Sequence, residues 1–493
     1  MSDTASLTAR PGAEAAMAAL RASPVRHLVA GMLENGSRTF PVINPATGEP
    51  CAVCPEASRA QLDRAVAAAG AAQPAWAATS VEQRRARLDA LAQVLLRHED
   101  ELAALITLEQ GKPLLRALDE VRRAAFQVGR VAALPFGSQV LREDANGRIE
   151  LHRRPLGVVG AIAPWNMPIV LALPKITHAL YTGNTIVLKP SPYTPLATLR
   201  LGEYARELFP PGVLNILAGG DEFGRWMSEH AGIAKLSFTG SIATGKKVMA
   251  AAAAGLKRVT LELGGNDAAI VLPDADVPAM LPRIFAAAFA NNGQVCMAIK
   301  RLYVHEAVHD QVAEGLAALA RSARVGDGFD PDVDFGPVQN RMQHEVVQRI
   351  LADTRERGGH FLAGGHVLDR AGYFVAPTIV TGLPEDAALV QEEPFGPVLP
   401  VLRFSDVDDA VRRANATRFG LGASVWSRDI AAATAIAHRL EAGVAWVNAH
   451  MALDACAPFG GVKESGLGRE YGEQGLAEYT NAVSLYVPAT AGN

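Results

Sequence analysis

Short apolar runs alternate with segments of helix-forming composition between residues 156 and 272, and this rhythm constrains the fold more than any other sequence feature. The apolar runs are Gly157–Ile162, Thr185–Leu188, Val213–Leu217 and Lys235–Phe238, and the helical segments are 195–208, 222–231 and 242–254. Buried strands that alternate with helices form a parallel sheet with right-handed connections. The sequence therefore predicts an α/β fold built on a parallel sheet.

A second α/β rhythm begins after Gly265. It consists of helical 276–290, a strand-like run at Arg301–Val304, helical 306–323 and a continuation over 336–357. A chain of 493 residues is longer than one compact core usually holds, so we expect at least two domains. Because neither a fixed-period repeat nor a low-complexity linker separates them, we expect these domains to be in intimate contact.

Two further segments have strand-like patterns outside these rhythms. Gly147–Arg154 alternates apolar and polar residues, as a strand with one exposed face does, and Ala482–Val487 is a short strand-like run near the end of the chain. Each segment could be an edge strand that pairs with another subunit, or an ordinary surface strand. The pattern alone leaves both interpretations open.

Charge and composition exclude several classes of protein. The net charge of -4 and the pI near 6.3 argue against a broad nucleic-acid-binding surface. No stretch approaches the ~18 uninterrupted apolar residues of a membrane-spanning helix, and residues 1–12 lack the apolar region of a secretory signal. The four cysteines are too few for a disulfide framework at this length, so we expect reduced thiols and a cytoplasmic protein. The alanine-rich N-terminal segment is an extra helix or a loose tail, with no assigned role.

Cys296 is a candidate nucleophile, because Asn291–Gln294 ends a helix just before it and leaves its thiol on a turn. A thiol with an ordinary pKa of ~8.5 is only a few per cent thiolate at neutral pH, so such a nucleophile needs activation. Cys51 and Cys54 have CxxC spacing, but no second pair or nearby histidine completes a zinc site. We expect these two and Cys456 to be small buried side chains.

Glu262 is the candidate base nearest to this cysteine in the sequence. It ends the strand-like run Val259–Leu261, and Gly264 and Gly265 after it allow close approach of the backbone. Desolvation raises the pKa of a carboxylate at a strand end beside a cleft, which suits a general base. The alternative, a solvated acid before a turn, is not excluded by spacing alone.

The segment Phe238–Gly245 runs from a strand through a glycine turn into a helix. Such a turn presents backbone N–H groups and the positive end of a helix to phosphate. With Lys246 it matches the P-loop pattern, but Lys247 stands where Ser or Thr should hold magnesium, so we do not expect an NTPase. No GxGxxG fingerprint of the standard Rossmann fold occurs here either.

His305 and His309 match the HExxH pattern of zinc proteases. Catalytic zinc needs a third protein ligand, and Val312 stands where the glycine of the extended motif belongs. Glu314 and other acids downstream leave a third ligand open. We expect the two histidines to be surface residues at the start of a polar helix.

Seven segments resemble the NAD(P)-dependent aldehyde dehydrogenase superfamily in order and content, over about residues 40–485. They are Pro164–Pro168, Leu188–Ser191, Phe238–Ser241, Leu261–Gly265, Asn292–Cys296, Glu392–Pro397 and Pro458–Gly466. Each motif is modest alone, and seven in register are very improbable by chance. The resemblance therefore guides the expectations that follow.

The resemblance implies an aldehyde dehydrogenase-like α/β fold with a parallel-sheet, Rossmann-type cofactor domain, an α/β catalytic domain and a small bridging β element. It places the cofactor-binding domain at 1–135 and 155–264, and the catalytic domain at 265–464. It assigns 136–154 and 480–493 as oligomerisation strands. These strands would pair identical subunits into a homodimer or a homotetramer.

The resemblance also implies oxidation of an aldehyde to a carboxylic acid with NAD or NADP as hydride acceptor. Cys296 would attack the aldehyde carbon, while the Asn166 amide and the backbone N–H of Cys296 would form an oxyanion hole. Glu262 would activate the water that hydrolyses the resulting thioester. Lys175 and Glu470 match positions that relay protons near that acid. CoA-acylating members lack the glutamate that matches Glu262, so we expect a free acid as product.

The cofactor site that the resemblance implies is spread along the chain. Lys189 would bind the adenosine ribose, Glu393 the nicotinamide ribose and Ser241 the pyrophosphate, with Trp165 nearby. The remaining cofactor residues are Ser191, Gly220, Gly240, Leu263 and Phe395. No resident metal is expected.

Pro192 bears on the choice of cofactor. Many NAD-preferring members carry glutamate three residues after the ribose lysine, and here that position is Pro192. Proline neither accepts a hydrogen bond from a ribose 2′-hydroxyl nor repels a 2′-phosphate. We therefore expect NAD as the cofactor, with NADP tolerated.

The substrate is less constrained than the reaction. The resemblance places four apolar residues around the aldehyde tunnel: Met167, Leu171, Met297 and Phe459. Apolar walls favour an aliphatic or aromatic aldehyde, although several of these residues could equally be ordinary core. The loop after them carries His450 and Asp454, which could instead add polar selectivity.

Two alternative functions come from other classes. The first is a non-catalytic, structural member of the same fold, which the joint presence of Cys296, Glu262 and Asn166 disfavours. The second is a zinc hydrolase that uses His305 and His309, which metal analysis of the purified protein would test.

Overall fold

The computed structural model describes residues 12–489, which form two large sheets and two small ones. The strands are β1 (His27–Val29), β2 (Met32–Glu34), β3 (Arg38–Asn44), β4 (Glu49–Glu56), β5 (Gln139–Asp144), β6 (Gly147–Pro155), β7 (Val158–Ile162), β8 (Thr185–Lys189), β9 (Leu214–Ile216), β10 (Lys235–Thr239), β11 (Arg258–Glu262), β12 (Asp267–Val271), β13 (Ile299–His305), β14 (His360–Ala363), β15 (Thr378–Thr381), β16 (Val398–Phe404), β17 (Gly422–Trp426), β18 (Val444–Val447), β19 (Gly466–Leu467) and β20 (Thr480–Pro488).

Helices connect most of these strands. The α-helices span Ala13–Ala22, Arg59–Ala77, Val81–Arg97, Glu99–Gln110, Leu114–Ala132, Ala172–Tyr181, Leu196–Ala205, Asp221–Glu229, Ile242–Ala253, Val277–Phe289, His309–Ser322, Arg341–Glu356, Ala388–Gln391, Val407–Asn415, Ile430–Ala437 and Gly472–Ala477, with 3-10 turns at Ala290–Gly293 and Lys463–Ser465. Within residues 12–489, none of the helices combines the length and the apolar character that a membrane crossing requires.

The first large sheet has the strand order β19-β11-β10-β7-β8-β9-β1-β2. Its five central strands, β7 to β11, run parallel, and β1, β2 and β19 add antiparallel strands at the two edges. β8 is buried along its whole length because helices Arg59–Ala77 and Ala172–Tyr181 pack against it. The parallel sheet predicted from the alternating apolar runs is confirmed.

The second large sheet has the order β14-β15-β16-β13-β12-β17-β18 and is parallel except for β14. It contains the rhythm predicted after Gly265, with helix Val277–Phe289 between β12 and β13. Trp426 and Tyr303 are among the largest side chains fully buried around it. Strands β11 and β12 are joined by only four residues, so the two sheets meet at this connection.

The predicted strand Gly147–Arg154 is not an edge strand. It lies within β6, which is the middle strand of the three-stranded sheet β20-β6-β5 and pairs antiparallel on both sides. Alternation in sequence reports one exposed face and gives no information on whether the two edges are paired. The available edges of this sheet are β5 and β20, and both are largely exposed.

The chain makes a sharp turn just before Cys296. Helix Val277–Phe289 begins at Asp276, whose side chain accepts a hydrogen bond from the Ala279 amide, and it ends in the 3-10 turn Ala290–Gly293. Within that turn Asn291 and Asn292 have φ angles of 50° and 58°, a left-handed conformation that asparagine tolerates better than most residues. The turn directs the following residues away from the helix axis and into the region between the two sheets.

The N-terminal segment forms a helix, Ala13–Ala22, as far as the structure describes it. Ala16 and Leu20 of this helix are buried. Residues 1–11 lie outside the described part of the chain. Of the two interpretations of the alanine-rich segment, the helix is therefore correct for residues 13–22.

Candidate active site

The candidate base and the candidate nucleophile come from different sheets and meet where the sheets join. Glu262 is the last residue of β11, opposite Thr239 at the end of β10, and Cys296 lies just before β13. Gly264 and Gly265 connect the two regions. A Cβ atom at Gly265 would lie 2.5 Å from the Cys296 carbonyl oxygen, so only glycine fits there, and one at Gly264 would displace a Glu393 carboxylate oxygen that lies 2.2 Å from it.

Glu262 is a carboxylate that is only 2% exposed. Burial raises its pKa to about 8; the Glu470 carboxylate raises it further and the Lys175 ammonium lowers it. The Cys296 thiol is close enough to lower this pKa as a hydrogen-bond donor, but its approach falls outside ordinary hydrogen-bond geometry. Among the described residues, no group donates a well-formed hydrogen bond to either Glu262 oxygen. Both oxygens are therefore available to water.

Cys296 is half-buried as a residue, and its thiol faces an acidic environment. Burial raises the pKa of the thiol well above its ordinary value, and the Glu262 carboxylate raises it further. The Lys300 ammonium acts in the opposite direction. The thiol therefore needs a neighbouring base or cation to react as a thiolate.

Asn166 lies beside the nucleophile segment, which we define as residues 294–297. Its side-chain nitrogen donates a hydrogen bond of 2.9 Å to the Gln294 carbonyl oxygen, and its own carbonyl oxygen accepts one of 2.9 Å from the Asn291 side chain. An amide nitrogen carries two N–H groups, so Asn166 retains one donor beyond the bond to Gln294. This arrangement fits the predicted oxyanion-hole donor.

The other carbonyl groups of the nucleophile segment are also held by buried side chains. Lys300 donates hydrogen bonds to the carbonyl oxygens of Val295, at 2.8 Å, and Cys296. The Nε2 atom of His450 lies 2.9 Å from the Met297 carbonyl oxygen. With the bond to Gln294, every carbonyl oxygen of the segment has a side-chain partner, which fixes the backbone around the thiol.

Lys175 and Glu470 form a buried ion pair next to Glu262. The Lys175 ammonium lies 2.7 Å from a Glu470 oxygen and 3.3 Å from the Ser237 hydroxyl. Helix Ala172–Tyr181 supplies the lysine, and the backbone of Glu470 pairs with that of Phe459. The structure thus brings together all five residues predicted to be catalytic.

Lys189 ends β8 and is the buried cation of the predicted cofactor site. Burial lowers the pKa of its ammonium to about 8, an effect that the Asp221 carboxylate opposes. Among the described residues, the Lys189 ammonium donates a long hydrogen bond, of 3.3 Å, to the Pro190 carbonyl oxygen. An ammonium has three donors, so most of its hydrogen-bonding capacity is open to a ligand. A Cβ atom added to Gly224 would lie 3.7 Å from the Lys189 side chain.

Four of the predicted cofactor residues lie at the carboxyl ends of β9, β10 and β11, and Ser241 is the one predicted to contact the pyrophosphate. Ser241 caps helix Ile242–Ala253 by accepting a hydrogen bond from the Thr244 amide, and the first turn of that helix has no acidic residue. Gly240 precedes it and donates its N–H to the Glu262 carbonyl oxygen at 3.1 Å. Gly220 begins helix Asp221–Glu229, and Leu263 follows β11. A helix N-terminus free of acids suits a phosphate group.

Trp165, Phe395 and Glu393 lie at the other end of the site. The Trp165 and Phe395 rings meet edge to face with centroids 5.2 Å apart. Glu393 accepts a hydrogen bond of 3.2 Å from the Gly265 amide and forms an ion pair of 3.1 Å with Lys300. Burial raises the pKa of Glu393, and Lys300 lowers it. Ser191, near the adenosine end, instead accepts a hydrogen bond from the Tyr193 amide.

These features fit a bound dinucleotide. Lys189 offers unused donors, the Ser241 helix offers a positive end, and the side chain of Thr239 has a buried hydroxyl with no partner among the described residues. The candidate contacts also follow the carboxyl ends of parallel strands, where α/β sheets bind ligands. NAD or NADP would supply a hydride acceptor here.

A cavity of about 500 Å³ opens beside the nucleophile segment. Its apolar lining includes Met167, Val170, Phe285 and Met451, and Arg123 is among its charged lining residues. Cys296 and Glu262 are not part of the lining, which reaches inwards as far as the neighbours of Asn166 and the turn at Ala290–Gly293.

Of the four residues predicted to surround an aldehyde tunnel, only Met167 lines this cavity. Met297 and Phe459 are buried in the hydrophobic core, and Leu171 is partly buried and packs against it; their place along an aldehyde tunnel stays a prediction. The predicted polar pair also separates. The His450 side chain is fully buried beside Asp267, whereas Asp454 is exposed and pairs with Arg130.

The HExxH histidines do not share a helix. His305 is the last residue of β13, and helix His309–Ser322 begins four residues later. The His309 ring contacts Asp310 at 2.8 Å, and the His305 ring accepts a hydrogen bond from the Ala307 amide. Zinc proteases with this motif need both histidines on one helical face. Across residues 12–489, no three His, Cys, Asp or Glu side chains group as a metal site.

Sequence reasoning missed Lys300, His450 as a backbone anchor and the cavity residues Phe285 and Arg123. Lys300 carried the clearest signal, because it directly follows the apolar residues 295–299 in the sequence. In the structure it is only 2% exposed. A lysine in a buried strand needs partners, which the sequence does not identify.

Comparison with known proteins agrees with this geometry. Residues 32–485 match the model of the aldehyde dehydrogenase family. A phenylacetaldehyde dehydrogenase of Pseudomonas fluorescens is 40% identical over 481 residues, covering 94% of this chain and 96% of that protein. Two solved structures are each 35% identical. The NAD+ complex of a Bacillus cereus aldehyde dehydrogenase has a TM-score of 0.92 and covers 96% of this chain and 98% of its own. An NADP-dependent enzyme of E. coli has a TM-score of 0.91, with 94% and 98% covered. The chain belongs to the aldehyde dehydrogenase family.

Proposed function

We propose that this chain oxidises an aldehyde to a free carboxylic acid through a thioester on Cys296, with Glu262 as the hydrolytic base. The observation that carries the proposal is the joint position of a thiol, an unbonded buried carboxylate and the amide of Asn166. They occur at the junction of the two sheets, beside residues that fit a dinucleotide. Few other reactions need all of these groups together.

The first half-reaction is acylation of the cysteine. The Cys296 thiolate attacks the aldehyde carbon, and the oxygen of the adduct becomes an alkoxide that the free Asn166 N–H and the Cys296 backbone N–H stabilise. When bound, NAD or NADP supplies the acceptor for the hydride that leaves the adduct carbon. The alkoxide electrons then form the thioester carbonyl, which retains the bond to sulfur.

The second half-reaction is hydrolysis of that thioester. Glu262 takes a proton from water, the hydroxide adds to the carbonyl carbon, and the carbon–sulfur bond breaks to return the Cys296 thiolate. The pKa of Glu262, which burial raises to about 8, suits a general base that acts near neutral pH. The buried pair of Lys175 and Glu470 adjoins Glu262 and would pass the proton onward.

For the cofactor we propose NAD, with NADP accepted. Lys189 would bind the adenosine ribose with Ser191 nearby, Ser241, Gly240 and Gly220 would face the pyrophosphate, and Leu263, Trp165, Phe395 and Glu393 would hold the nicotinamide end. Pro192 leaves the ribose without the usual acid, but Asp221 acts electrostatically on Lys189 and supplies a carboxylate in that region. One similar structure is an NAD+ complex and another is an NADP-dependent enzyme, which supports a site that accepts either cofactor.

For the substrate we propose an aliphatic or aromatic aldehyde that enters through the 500 Å³ cavity. Met167, Val170, Phe285 and Met451 give this route apolar walls. The similarity to a phenylacetaldehyde dehydrogenase supports this choice. We place the protein in the cytoplasm, because the reaction needs Cys296 as a reduced thiol.

We propose further that the chain divides into a cofactor-binding domain at 1–135 and 155–264 and a catalytic domain at 265–464. The segments 136–154 and 480–493, of which residues 490–493 lie outside the described part of the chain, would pair subunits into a dimer or tetramer. Strands β5 and β20 support this role, because they leave exposed edges with apolar side chains such as Leu141 and Tyr486. The mass of the protein in solution, measured by light scattering, tests the assembly.

The direct test is reduced-nicotinamide absorbance with a panel of aldehydes, run in parallel with NAD and NADP. We expect signal with apolar aldehydes and its loss in Cys296→Ala, while binding of NAD by calorimetry stays within about threefold because Cys296 has no role in holding it. An active Cys296→Ala variant would refute the proposed nucleophile. Silence across the panel together with no cofactor binding would favour a structural member of the fold.

A further inference from the structure

Lys300 is a buried lysine between the nucleophile segment and Glu393. It lies on β13, is 2% exposed, and its ammonium donates hydrogen bonds to the carbonyl oxygens of Val295 and Cys296. The same nitrogen lies 3.1 Å from a Glu393 oxygen. An ammonium has three N–H groups, so these three acceptors use its full capacity. One atom thus joins the nucleophile backbone to the acid at the nicotinamide end.

A lysine in this position has an energetic cost that the fold must offset. Removing an ammonium from water is unfavourable unless it is paired and hydrogen-bonded. A structural role would need only the two carbonyl oxygens, as at Lys257, whose ammonium donates to the Ser228 and His230 carbonyl oxygens at 2.8 Å each. Lys300 differs because it also pairs with the Glu393 carboxylate and acts electrostatically on the Cys296 thiol.

The charge around the Cys296 thiol is mostly negative. The groups that act on it from the surrounding elements are Glu262 on β11, Asp267 on β12, Glu393 before β16, Tyr471 before helix Gly472–Ala477, and Lys300 on β13. The carboxylates and burial favour the neutral thiol, and the Lys300 ammonium favours the thiolate. Without this cation, the local field would oppose formation of the nucleophile.

We propose that Lys300 is an electrostatic positioning residue, which stabilises the Cys296 thiolate while tying the nucleophile segment to Glu393. The inference rests on the proposed role of Cys296 as the nucleophile. It adds a residue that acts through Cys296 and does not itself touch the reacting carbon.

The test is the pH dependence of Cys296 alkylation by iodoacetamide, followed by mass spectrometry of the peptide in the full-length protein. Only the thiolate reacts, so the rate at a given pH reports the thiolate fraction. In Lys300→Met we expect the thiol pKa to rise by about one pH unit, which lowers the rate at pH 8 about tenfold. In Glu393→Gln, which removes a negative charge, we expect the opposite change, a faster rate.

The two changes of opposite sign separate electrostatics from a loss of structure, because a disturbed fold would move both variants in the same direction. Lys257→Met is the matched control, since it removes a lysine that holds two carbonyl groups far from the thiol, and its rate should equal that of the parent protein. A folded Lys300→Met with an unchanged rate would overturn the proposal. If Lys300→Met fails to fold, an unchanged or slower rate in Glu393→Gln would overturn it.

The alkylation assay needs no aldehyde, so it is independent of the proposed reaction. If iodoacetamide modifies Cys296 and reduced-nicotinamide formation persists, the nucleophile assignment fails whatever Lys300 does. If modification abolishes activity but Lys300→Met leaves the alkylation profile unchanged, only the role of Lys300 fails.

Discussion

The two ends of the candidate site are built differently. At the nucleophile end, Asn166, Lys300 and His450 hold every carbonyl oxygen of residues 294–297, and the nearby cations are paired. At the adenosine end, Lys189 has one long hydrogen bond, and Ser241 is exposed at the start of its helix. The nucleophile end of the candidate site is therefore ordered by the protein itself, whereas the adenosine end keeps hydrogen-bond donors for a ligand.

Glu262 is the exception within the ordered end. Its neighbours are fixed, yet its own oxygens have no hydrogen bond of ordinary geometry among the described residues. An ionised carboxylate that is buried without hydrogen-bond partners is unfavourable. Burial therefore favours the protonated form and raises the pKa of Glu262 to about 8. Catalysis gains from groups that are preorganised for the transition state, and a base must also be free to accept a proton.

Apart from Cys296→Ala, loss of the Glu262 carboxylate should change activity more than any other substitution proposed for this site. In Glu262→Gln we expect steady-state turnover to fall about 100-fold or more, the scale of a lost general base. The initial burst of reduced nicotinamide should remain near one equivalent per site, because acylation precedes the hydrolysis that needs the base. Stopped-flow absorbance measures both quantities in one experiment.

Glu392→Gln is the matched control for that variant. Glu392 is exposed and pairs with Arg349, so removing its charge should leave both burst and turnover within about twofold, as for most surface substitutions. Equal loss of burst and turnover in Glu262→Gln would contradict the division between attack by Cys296 and hydrolysis by Glu262.

The second prediction is that turnover and NAD binding respond to pH in opposite directions, because they depend on Glu262 and Lys189 respectively. A base acts in its ionised form, so turnover should rise as pH increases through about 8 and be lost on the acid side. Lys189, with a pKa lowered to about 8, is charged below that pH, so KM for NAD should rise several-fold above it as the ammonium is lost. Steady-state kinetics from pH 6.5 to 9.5 would check both signs. Turnover independent of pH in this range would contradict the role of Glu262.

The parallel sheets could be predicted from sequence because they depend on local pattern. Apolar runs between helical segments identified β7, β8, β9 and β10, and the motif order predicted that Cys296 and Glu262 belong to one site. Contacts that depend on the assembled fold could not be predicted. Strand β6 pairs with β5 on one side and β20 on the other, and the alternation of apolar and polar residues within β6 does not identify these partners.

The same limit explains the missed side chains. Lys300 and Glu393 are 93 residues apart in sequence and meet only when β13 and the segment before β16 are packed together. His450 reaches the Met297 carbonyl oxygen across 153 residues. Leu171, Met297 and Phe459 carry the same apolar character whether they line a tunnel or fill a core, so composition could not distinguish the two.

The smallest effect concerns cofactor choice at the adenosine end, where Asp221 is near Lys189 and Pro192 replaces the usual acid. A carboxylate in this region accepts a hydrogen bond from a ribose 2′-hydroxyl and repels a 2′-phosphate. In Asp221→Asn we expect the ratio of kcat/KM for NAD to that for NADP to fall about tenfold, equivalent to about 1.4 kcal/mol. In Pro192→Glu we expect the ratio to rise by a similar factor.

Glu222→Gln separates a local effect of Asp221 from a general change of charge. It lies on the same helix, one residue along, and its carboxylate is exposed near Arg225, so its ratio should match that of the parent chain. Parallel kinetics with NAD and NADP at one pH give the ratios of the parent chain and of all three variants. If Asp221→Asn and Glu222→Gln shift the ratio equally, the discrimination comes from the overall field at the helix N-terminus, and the adenosine end has no dedicated acid. If only Asp221→Asn shifts it, a residue outside the family position has taken over the function of the missing glutamate.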